Sequence, residues 1–469
     1  MKSNLATEDY LDGRRRKMPA SRLSAASFIS VIAIVLSSNL LFGSVSTGAL
    51  AVMALLLAVT VIFWVSDSLF TKNLCYSANP LQLPLIGLIL IGLVQLLPFA
   101  GSSVSPDLLA IPAASSFTIV PFATSFAILK LLLFLLFFAA ALVYVDSPER
   151  TRLIVFVVII YAAFMSFLGI LQKLSNPGFV LWIRQVDYSI PFATFVNQHH
   201  FASFLVMTTA MTLGLLFAGS TKPDKRLLLI IAAILMGLGI VFTSSRGALI
   251  SLVAVLGLLS GLSFWSGSKS HSKSHKRTYL KRVWVLVGAN VALVLFLLVS
   301  VAWIGGSDIA LRSAGINNAA EYSSGRLDFW ANTLRITRDN PVLGTGLDTF
   351  DVAYTKYDTW NGLLRVNYAH NEYLQILSEA GIPGLACVVA FIFLLFRQSL
   401  RIIGSSIHPF RRGVAAGALA GCFGIMVHSF FDFPLRTNAN MFCFLLFAVL
   451  ATAPIEFPVV IRKRKKIEE

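Results

Sequence analysis

The sequence predicts an all-α polytopic membrane protein with about twelve transmembrane helices. Hydrophobic residues make up 57% of the 469 residues and charged residues only 13%, whereas soluble domains carry roughly 25% charge. Apolar runs of about twenty residues, the length that crosses a bilayer as a helix, recur along the whole chain. One long polar segment between two of these runs has helical periodicity, so we also expect one large helical loop outside the membrane.

The first apolar run, at 23–42, follows a polar leader at 1–22 that is rich in Lys and Arg. A basic leader is typical of signal peptides, but this apolar run is too long for one and no small-residue cleavage site stands out. We therefore expect a retained first span with its basic end in the cytoplasm. The further spans are predicted at 47–65, 83–99, 125–145, 153–172, 199–218, 227–243, 247–265, 283–304, 383–398, 412–430 and 439–455.

The distribution of basic residues predicts the orientation of these spans. With the N terminus in the cytoplasm, most of the 38 Lys and Arg residues fall in inner segments, as the positive-inside rule expects. The net charge of +16 therefore indicates membrane orientation and contact with anionic lipids, and we expect no nucleic-acid partner. The predicted units are a cytoplasmic basic leader at 1–22, transmembrane helices 1–9 within 23–304, a large periplasmic loop at 305–382, transmembrane helices 10–12 within 383–455 and a cytoplasmic basic tail at 456–469.

Few residues favour metal binding or ion transport. His271 and His275 lie in a Ser- and Lys-rich stretch at 266–282, which is typical of a flexible linker, so this pair is weak evidence for a metal site. Lys130 lies near the outer end of its span and either snorkels to the interface or contacts an anionic lipid head group. No other ionisable residue is predicted deep in a span, which argues against an ion-coupled transporter.

Arg246 stands at the outer end of the eighth predicted span, directly after two serines. Ser244 or Ser245 can cap this helix, which places Arg246 in its first turn. An anion at that point would meet free backbone N–H groups, the helix dipole and the guanidinium together. The alternative is an interfacial arginine that meets a lipid phosphate.

Arg326 repeats this arrangement inside the large outer loop. A serine cap precedes it, and the helix is predicted to end near Asn340, where Pro341 stops it. Because the loop carries more acidic than basic residues, Arg326 is not one member of a general positive field. The alternative is a weak surface ion pair of Arg326 with Asp328 or Glu321.

Three further outer segments contain unusual residues. The stretch 344–350 is rich in glycine but lacks a third glycine and a preceding strand, so it predicts a turn that lets a helix pass closely and no dinucleotide site. His199 and His200 open the sixth span, a position where histidines are more often structural than catalytic. Asp432 and Arg436 join the last two spans, where they either pair with each other or leave Arg436 to bind a glycan or phosphate.

The stretch 369–384 predicts an amphipathic helix at the membrane surface that leads into the tenth span. Its apolar residues share one face, and its polar residues, Asn371, Gln375, Ser378 and Glu379, share the face towards water. His370 falls in the first turn, at the border between the two faces. Because histidine titrates near neutral pH, His370 is a candidate proton acceptor; the alternative is that it only caps or packs a surface helix.

Together these motifs resemble the signature of the O-antigen ligase and polysaccharide polymerase superfamily. The central match is His370-Asn371 followed, after nine residues, by Gly381-Ile382-Pro383-Gly384. The resemblance covers roughly residues 190–440 and departs from the family at His199, where related chains are expected to have Asn. The other matching motifs are Ser245-Arg246-Gly247, Gly325-Arg326 with Trp330, Pro341 with Gly344 and Gly346, and Asp432-Phe433-Pro434.

The resemblance implies a glycosyltransferase of the bacterial inner membrane. Its donor would be a glycan on polyprenyl diphosphate, and its acceptor a sugar hydroxyl on lipid A-core or on a growing polysaccharide. A diphosphate is already a good leaving group, so we expect no metal and no other cofactor, and direct attack would invert the anomeric carbon. The roles expected are His370 as the base, Arg246 and Arg326 as diphosphate ligands, and Asn371, His200, Asp432, Arg436 and Lys130 as supporting or substrate-binding residues.

Two other functions are compatible with the sequence. A flippase or transporter of the same lipid-linked glycan would also span the membrane many times and bind a diphosphate. A structural scaffold would not explain three placed polar residues on one side of the membrane. Ligase and polymerase share these motifs, so the sequence does not choose between them.

Overall fold

The computed structural model describes residues 21–98, 116–187, 189–221, 223–268, 288, 325–359 and 365–457. These residues are mostly α-helical, with one short antiparallel hairpin of β1 (Phe179–Val180) and β2 (Arg184–Gln185). The helices are α1 (Arg22–Leu40), α2 (Thr47–Thr71), α3 (Gln82–Gln95), α4 (Pro121–Tyr144), α5 (Pro148–Ser175), α6 (Gln198–Phe217), α7 (Pro223–Phe242), α8 (Arg246–Ser268), α9 (Arg326–Asp339), α10 (Phe350–Thr355), α11 (Glu372–Ser405), α12 (Pro409–His428) and α13 (Asn438–Thr452).

The all-α polytopic fold predicted from hydropathy is confirmed. Nine helices of the described part are long and apolar enough to cross a membrane, while α3 and α13 are apolar but shorter, with 14 and 15 residues. Each predicted span except the ninth coincides with one of these eleven helices. Most of the ninth span at 283–304, most of the leader, most of the linker with His271 and His275, and most of the tail lie outside the described residues. The count of twelve therefore stays a prediction.

Helices α6 and α12 form the centre of the bundle. In each of these two helices, 83% of the apolar stretch is buried inside the protein. In the other spanning helices this fraction is between 28% and 50%. Glycines allow the two backbones to approach closely, because a Cβ on Gly214 would lie 2.4 Å from the Cα of Gly417. Small residues at a contact are the usual way in which membrane helices pack tightly.

The glycine-rich turn after α9 packs against α11, as the sequence predicts. The amide of Thr345 donates to the carbonyl of Ser378, and the amide of Gly346 donates to the carbonyl of Glu379. The N···O distance is 3.0 Å in both hydrogen bonds. A Cβ on Gly344 would lie 2.4 Å from the carbonyl carbon of Glu379. Only glycine therefore fits where this turn crosses the helix.

The start of α11 differs from the prediction. The helix begins at Glu372 and not at His370, and Asn371 caps it by accepting hydrogen bonds from the amides of Tyr373 and Leu374. The predicted surface helix and tenth span meet at a kink within these 34 residues, at Gly381, whose φ is 64°. The predicted start of the span at residue 383 stays a prediction.

The predicted orientation of the polar face of α11 was also wrong. Gln375, Ser378 and Glu379 are buried within the protein and do not face water. The reason is that the Glu379 carboxylate has buried partners: it accepts hydrogen bonds from Arg436 at 2.7 Å and from the side-chain amide of Gln375 at 3.0 Å. Polar partners inside the bundle thus satisfy polar groups that would otherwise need water.

The helix ends that carry the candidate residues lie together at one end of the bundle. Successive spanning helices run in opposite directions, so α6, α8, α11 and α13 begin at this end and α12 ends there. The short connection between α12 and α13 is tied to it, because the amide of Glu372 donates to the carbonyl of Ser429 over 2.9 Å. We call this end the motif end.

We predict that Gly381→Ala destabilises the protein. A Cβ there would lie 2.2 Å from the carbonyl oxygen of Val342, and the positive φ alone costs an L-residue about 1–2 kcal/mol. The apparent unfolding temperature of the purified protein in detergent should fall by several degrees. The control is Gly237→Ala in α7, where no atom lies within 4 Å of the added Cβ, and a small stabilisation is expected. Equal effects of the two substitutions would contradict the packing at Gly381.

Candidate functional site

His370 stands on a strained turn immediately before α11. Its φ is 50°, a left-handed conformation that residues other than glycine seldom adopt. The neighbouring backbone holds it there, since the indole N–H of Trp330 donates to the carbonyl of Ala369 over 3.0 Å. Strain of this kind clusters at functional sites because the surrounding structure must maintain it.

The His370 ring is held between a buried carboxylate and two aromatic rings. Its Nδ1 lies 3.2 Å from Oδ1 of Asp432, and its side chain is 33% exposed, against 5% for Asp432. Phe329 of α9 stacks on the imidazole at 6.2 Å, and the ring of Phe433 meets it edge-on at 4.9 Å. One nitrogen is thus fixed by a carboxylate while the ring keeps an accessible side.

Asp432 is ionised in this environment. Burial raises the pKa of a carboxyl group, but the hydrogen bond with His370 and the charges of the neighbouring histidines outweigh it, so the pKa of Asp432 lies well below its usual range. An ionised carboxylate accepts a hydrogen bond from an Nδ1–H group. This interaction selects the tautomer of His370 whose Nε2 lone pair is free.

A cavity of about 650 Å³ opens beside His370. Its volume lies within the range of roughly 300–1,000 Å³ that is common for ligand sites. The lining combines side-chain amides, hydroxyl groups and aromatic rings, with Tyr368 stacked on Phe433 at 4.0 Å. Such a mixture suits a ligand with many hydroxyl groups. The lining includes Asn197, His200, Asn367, Tyr368, His370, Phe433, Arg436 and Asn438.

His200 lines this cavity but is mostly occupied with packing. Its Nδ1 lies 2.7 Å from the hydroxyl of Thr437, and its backbone carbonyl accepts a hydrogen bond from the amide group of Asn440. Its ring meets Phe433 edge-on at 4.9 Å. These contacts agree with the structural interpretation of His200 and place it beside the same aromatic ring that His370 touches.

Arg246 is the first residue of α8 and is exposed at the motif end. Ser245 caps the helix, because its hydroxyl accepts a hydrogen bond from the amide of Ala248 over 3.4 Å. The next residue, Gly247, lies against the ring of His428, where a Cβ would come within 2.8 Å of Nε2. Within the described residues, Arg246 has no ion pair.

Arg326 is the first residue of α9, as the sequence predicts, but its cap differs. The N-cap is Gly325 with a φ of 76° and no side-chain hydrogen bond, whereas a serine cap was predicted. Arg326 lies close enough to His199 and His428 to act on both electrostatically. The structure forms no Arg326–Asp328 pair, Glu321 lies outside the described residues, and Arg326 has no ion pair with any residue that the structure covers.

Arg436 and Lys130 have different partners from those predicted. Arg436 does not pair with Asp432 but contacts three carboxylates, those of Glu379 at 2.7 Å, Asp348 at 3.2 Å and Glu372 at 3.5 Å. Lys130 does not reach for lipid but pairs with Asp348 at 2.7 Å. A carboxylate in direct contact stabilises a cation more than a distant lipid head group does. The predicted contact of Lys130 with the lipid interface is therefore replaced by an ion pair.

These five side chains form an ion-pair network between α4, the turn before α10, α11 and the connection after α12. Burial alone would lower the pKa of Arg436, but its three carboxylates outweigh burial and raise that pKa above its usual value. Arg436 and Lys130 likewise hold the pKa of Asp348 below its usual range against the effect of burial. Two cations face three anions, so the network has little charge to offer an anionic ligand.

The structure therefore separates the candidate residues into two groups. His370, Asp432, Arg326 and Arg246 all lie at the motif end. The two arginines have no ion pair within the described residues, and neither is among the residues that line the cavity beside His370. Lys130 and Arg436 serve the ion-pair network, and Asn371 caps α11. Sequence reasoning missed the roles of Asp348, Glu372 and Glu379, because their cationic partners lie far away in the sequence.

Comparison with known proteins supports the resemblance found in the sequence. Residues 231–389 match the family model described as O-antigen ligase, which supports the superfamily of O-antigen ligases and polysaccharide polymerases. The matched range contains Arg246, Arg326 and His370. No curated protein matches the chain. The match and the apolar helices support a multi-pass membrane protein of O-antigen ligase or polymerase type, with a lipid-linked glycan donor and a glycan acceptor.

We predict that Arg436→Gln is severely destabilising. Removal of one partner of a buried ion pair leaves uncompensated charge and costs about 3–5 kcal/mol, and here three carboxylates lose their shared cation. Unfolding of the purified protein in detergent should show this loss, and adding Glu379→Gln should recover part of it.

The matched control is Arg365→Gln, since Arg365 pairs with Asp351 and its side chain is 59% exposed. An exposed pair contributes at most about 1 kcal/mol. An Arg436→Gln variant as stable as the Arg365→Gln variant would contradict the role of the network.

Proposed function

We propose that this relative of the O-antigen ligases moves a glycan from polyprenyl diphosphate to a hydroxyl of an acceptor sugar, at the periplasmic face of the bacterial inner membrane. The proposal needs positive charge for the diphosphate and a base for the acceptor hydroxyl. No general acid is needed, because the diphosphate leaves as a stable anion. The chain supplies the charge with Arg246 and Arg326 and the base with His370.

The observation that carries the proposal is the pair of His370 and Asp432 at the edge of a cavity. Asp432 binds Nδ1 at 3.2 Å and leaves Nε2 free, and His370 lines the cavity of about 650 Å³. A histidine oriented by a carboxylate is the usual arrangement of a general base. A merely structural histidine would not need an accessible ring next to a cavity rich in amides and hydroxyls.

In the proposed reaction, Nε2 of His370 takes the proton from an acceptor hydroxyl held in the cavity. The oxygen attacks the anomeric carbon of the donor sugar, and the bond from that carbon to the diphosphate oxygen breaks. Attack from the side opposite the leaving group inverts the configuration. The proton remains on His370 until it passes to solvent, and Asp432 stabilises the imidazolium meanwhile.

Arg246 and Arg326 stabilise the charge that develops on the diphosphate. A guanidinium binds phosphate oxygens through two parallel hydrogen bonds, and each charge-assisted hydrogen bond is worth about 1.5–3 kcal/mol. Both arginines stand in the first turn of a helix, where free backbone N–H groups also favour an anion. The absence of ion pairs for them within the described residues keeps both guanidinium groups available.

A flippase for the same lipid-linked glycan is the alternative. It would need the diphosphate ligands but no base, so the His370–Asp432 pair favours the transferase. Ligase and polymerase differ only in the acceptor, and both fit a cavity that accepts a sugar. The orientation with both termini cytoplasmic follows from the basic residues and places the motif end in the periplasm.

We predict that His370→Ala, Arg246→Ala and Arg326→Ala each abolish glycan transfer while the protein still inserts. Loss of a general base lowers the rate typically about 10²–10⁴-fold. The measurement uses purified protein, a polyprenyl-diphosphate-linked donor and a defined acceptor, with mass spectrometry of the product. Arg335→Ala is the control, since Arg335 also lies on α9 and its guanidinium donates to the neutral side chain of Asn332.

Normal product from properly inserted His370→Ala protein would remove the transferase assignment. A wild-type protein that moves donor across vesicles but forms no product in this assay would establish the flippase instead.

A further inference from the structure

We infer that the cavity beside His370 holds an uncharged sugar of the acceptor, stacked on the ring of Tyr368, an inference that rests on the proposed function and names the class of acceptor. Three features of the cavity lining carry it. The lining contains a tyrosine with an available hydroxyl group, several neutral side-chain amides, and charged groups that are already engaged by other residues of the chain.

Tyr368 brings an aromatic ring and a hydroxyl group into the lining, two residues before His370. Its ring stacks on Phe433 at 4.0 Å with an interplanar angle of 23°, and Phe433 in turn meets the His370 ring at 4.9 Å. The side chain is half-buried, and no described residue forms a hydrogen bond with its hydroxyl group. The stack holds the Tyr368 ring in place, so a sugar can pack its C–H face on an ordered aromatic surface next to the candidate base.

Neutral side-chain amides in the same lining supply hydrogen bonds. The side-chain carbonyl of Asn197 accepts from the amide of His199 over 2.8 Å, which leaves its NH₂ group available. The side-chain NH₂ of Asn438 donates to the carbonyl of Ser44, which leaves its side-chain carbonyl available. Asn367 is exposed and forms no side-chain hydrogen bond with any residue that the structure describes. These donors and acceptors match sugar hydroxyl groups, each of which can both donate and accept.

The charged groups of the lining are neutralised by the protein itself. Lys130 and Arg436 belong to the ion-pair network, in which carboxylates outnumber cations. Arg365 pairs with Asp351. Asp358 adds a further carboxylate to the lining and is engaged within the chain. Among the described residues, the lining and its ion-pair partners therefore carry more negative than positive charge.

This charge balance disfavours an acidic sugar. The carboxylate of a uronic acid would lose water on entering the cavity and would lie near carboxylates of the protein, without a cation free to compensate it in the described lining. Placing like charges together is one way in which binding sites reject the wrong ligand. An uncharged sugar avoids this repulsion and keeps the hydrogen bonds that the amides offer.

Arg365 provides the competing explanation. Its side chain is 59% exposed, and exposed ion pairs are weak, so Arg365 could release Asp351 and bind the carboxylate of an acidic sugar. A cavity that works in this way prefers uronic acids and depends on Arg365. A neutral subsite prefers the uncharged sugar and depends on Tyr368, so binding measurements separate the two.

The test measures the binding of matched sugars to the full-length protein in detergent by saturation-transfer NMR. Methyl glucoside is compared with the corresponding uronic acid and uronamide, and methyl galactoside with its own pair, because the members of each set differ only at the exocyclic carbon. The uncharged sugar and the uronamide should bind at least about tenfold more tightly than the uronic acid. Equal or tighter binding of the uronic acids, or no binding of any of these sugars, would overturn the inference.

Tyr368→Phe and Tyr368→Leu test the stacking. The Phe variant keeps the ring and loses one neutral hydrogen bond, so the uncharged sugar should bind about two- to tenfold more weakly. The Leu variant also loses the aromatic face and should bind more than about tenfold more weakly. The KM for the acceptor should rise in the same order while the KM for the donor stays unchanged, a division that a merely structural tyrosine would not produce.

Tyr357→Phe is the matched control, since the Tyr357 hydroxyl donates to Asp339 over 2.7 Å and lies outside the cavity lining. It should bind the sugars like the wild type. Unchanged sugar binding by Tyr368→Leu would contradict the inference, and so would uronic acid binding that disappears in Arg365→Gln. NMR reports sugar binding whether or not product forms. A wild type that binds the uncharged sugars but transfers no glycan would therefore contradict the proposed function alone, whereas one that transfers glycan only to acidic acceptors would contradict this inference alone.

Discussion

The buried ion pairs of Arg436 hold together the part of the fold on which the candidate site depends. Arg436 lies in the short connection between α12 and α13 and binds carboxylates from α11 and from the turn before α10. The same connection carries Asp432 and Phe433, two of the residues that position the ring of His370. A buried network whose every member is satisfied rigidifies its surroundings. The orientation of the candidate base is therefore a consequence of charges that do not themselves take part in the proposed reaction.

Cations at the motif end have two different functions in this account. Lys130 and Arg436 are deeply engaged with carboxylates, so they contribute to structure and offer little to a ligand. Arg246 and Arg326 stand at helix beginnings, with no ion pair in the described part of the chain. Arg326 is half-buried, and a charge held away from water is costly unless a partner or a ligand compensates it. Ion pairing therefore distinguishes the cations that stabilise the fold from the cations that are candidates for ligand binding.

Hydropathy was sufficient to predict the fold class and most helix positions. The apolar length of a span is a local property of the sequence, so α1 to α8 and α11 to α13 could be located without tertiary information. The first-turn positions of Arg246 and Arg326 and the close passage of the glycine-rich turn were predictable for the same reason, since capping and breaking signals are local. The long-range partners were not predictable. Arg436 pairs with three carboxylates that are distant in sequence, and one of them, Glu379, lies on the polar face of α11. His370 lies outside the helix because Asn371 is the better cap, a preference that periodicity alone does not reveal.

The most direct test of the central claim is a cryo-electron microscopy structure of the protein with polyprenyl diphosphate bound in a lipid nanodisc. The account predicts that both phosphate groups lie at the motif end, within hydrogen-bonding distance of Arg246 and Arg326. The sugar-bearing oxygen of the diphosphate should point towards His370 and the cavity beside it. Phosphate groups bound at the ion-pair network of Arg436, or at the opposite end of the bundle, would contradict it.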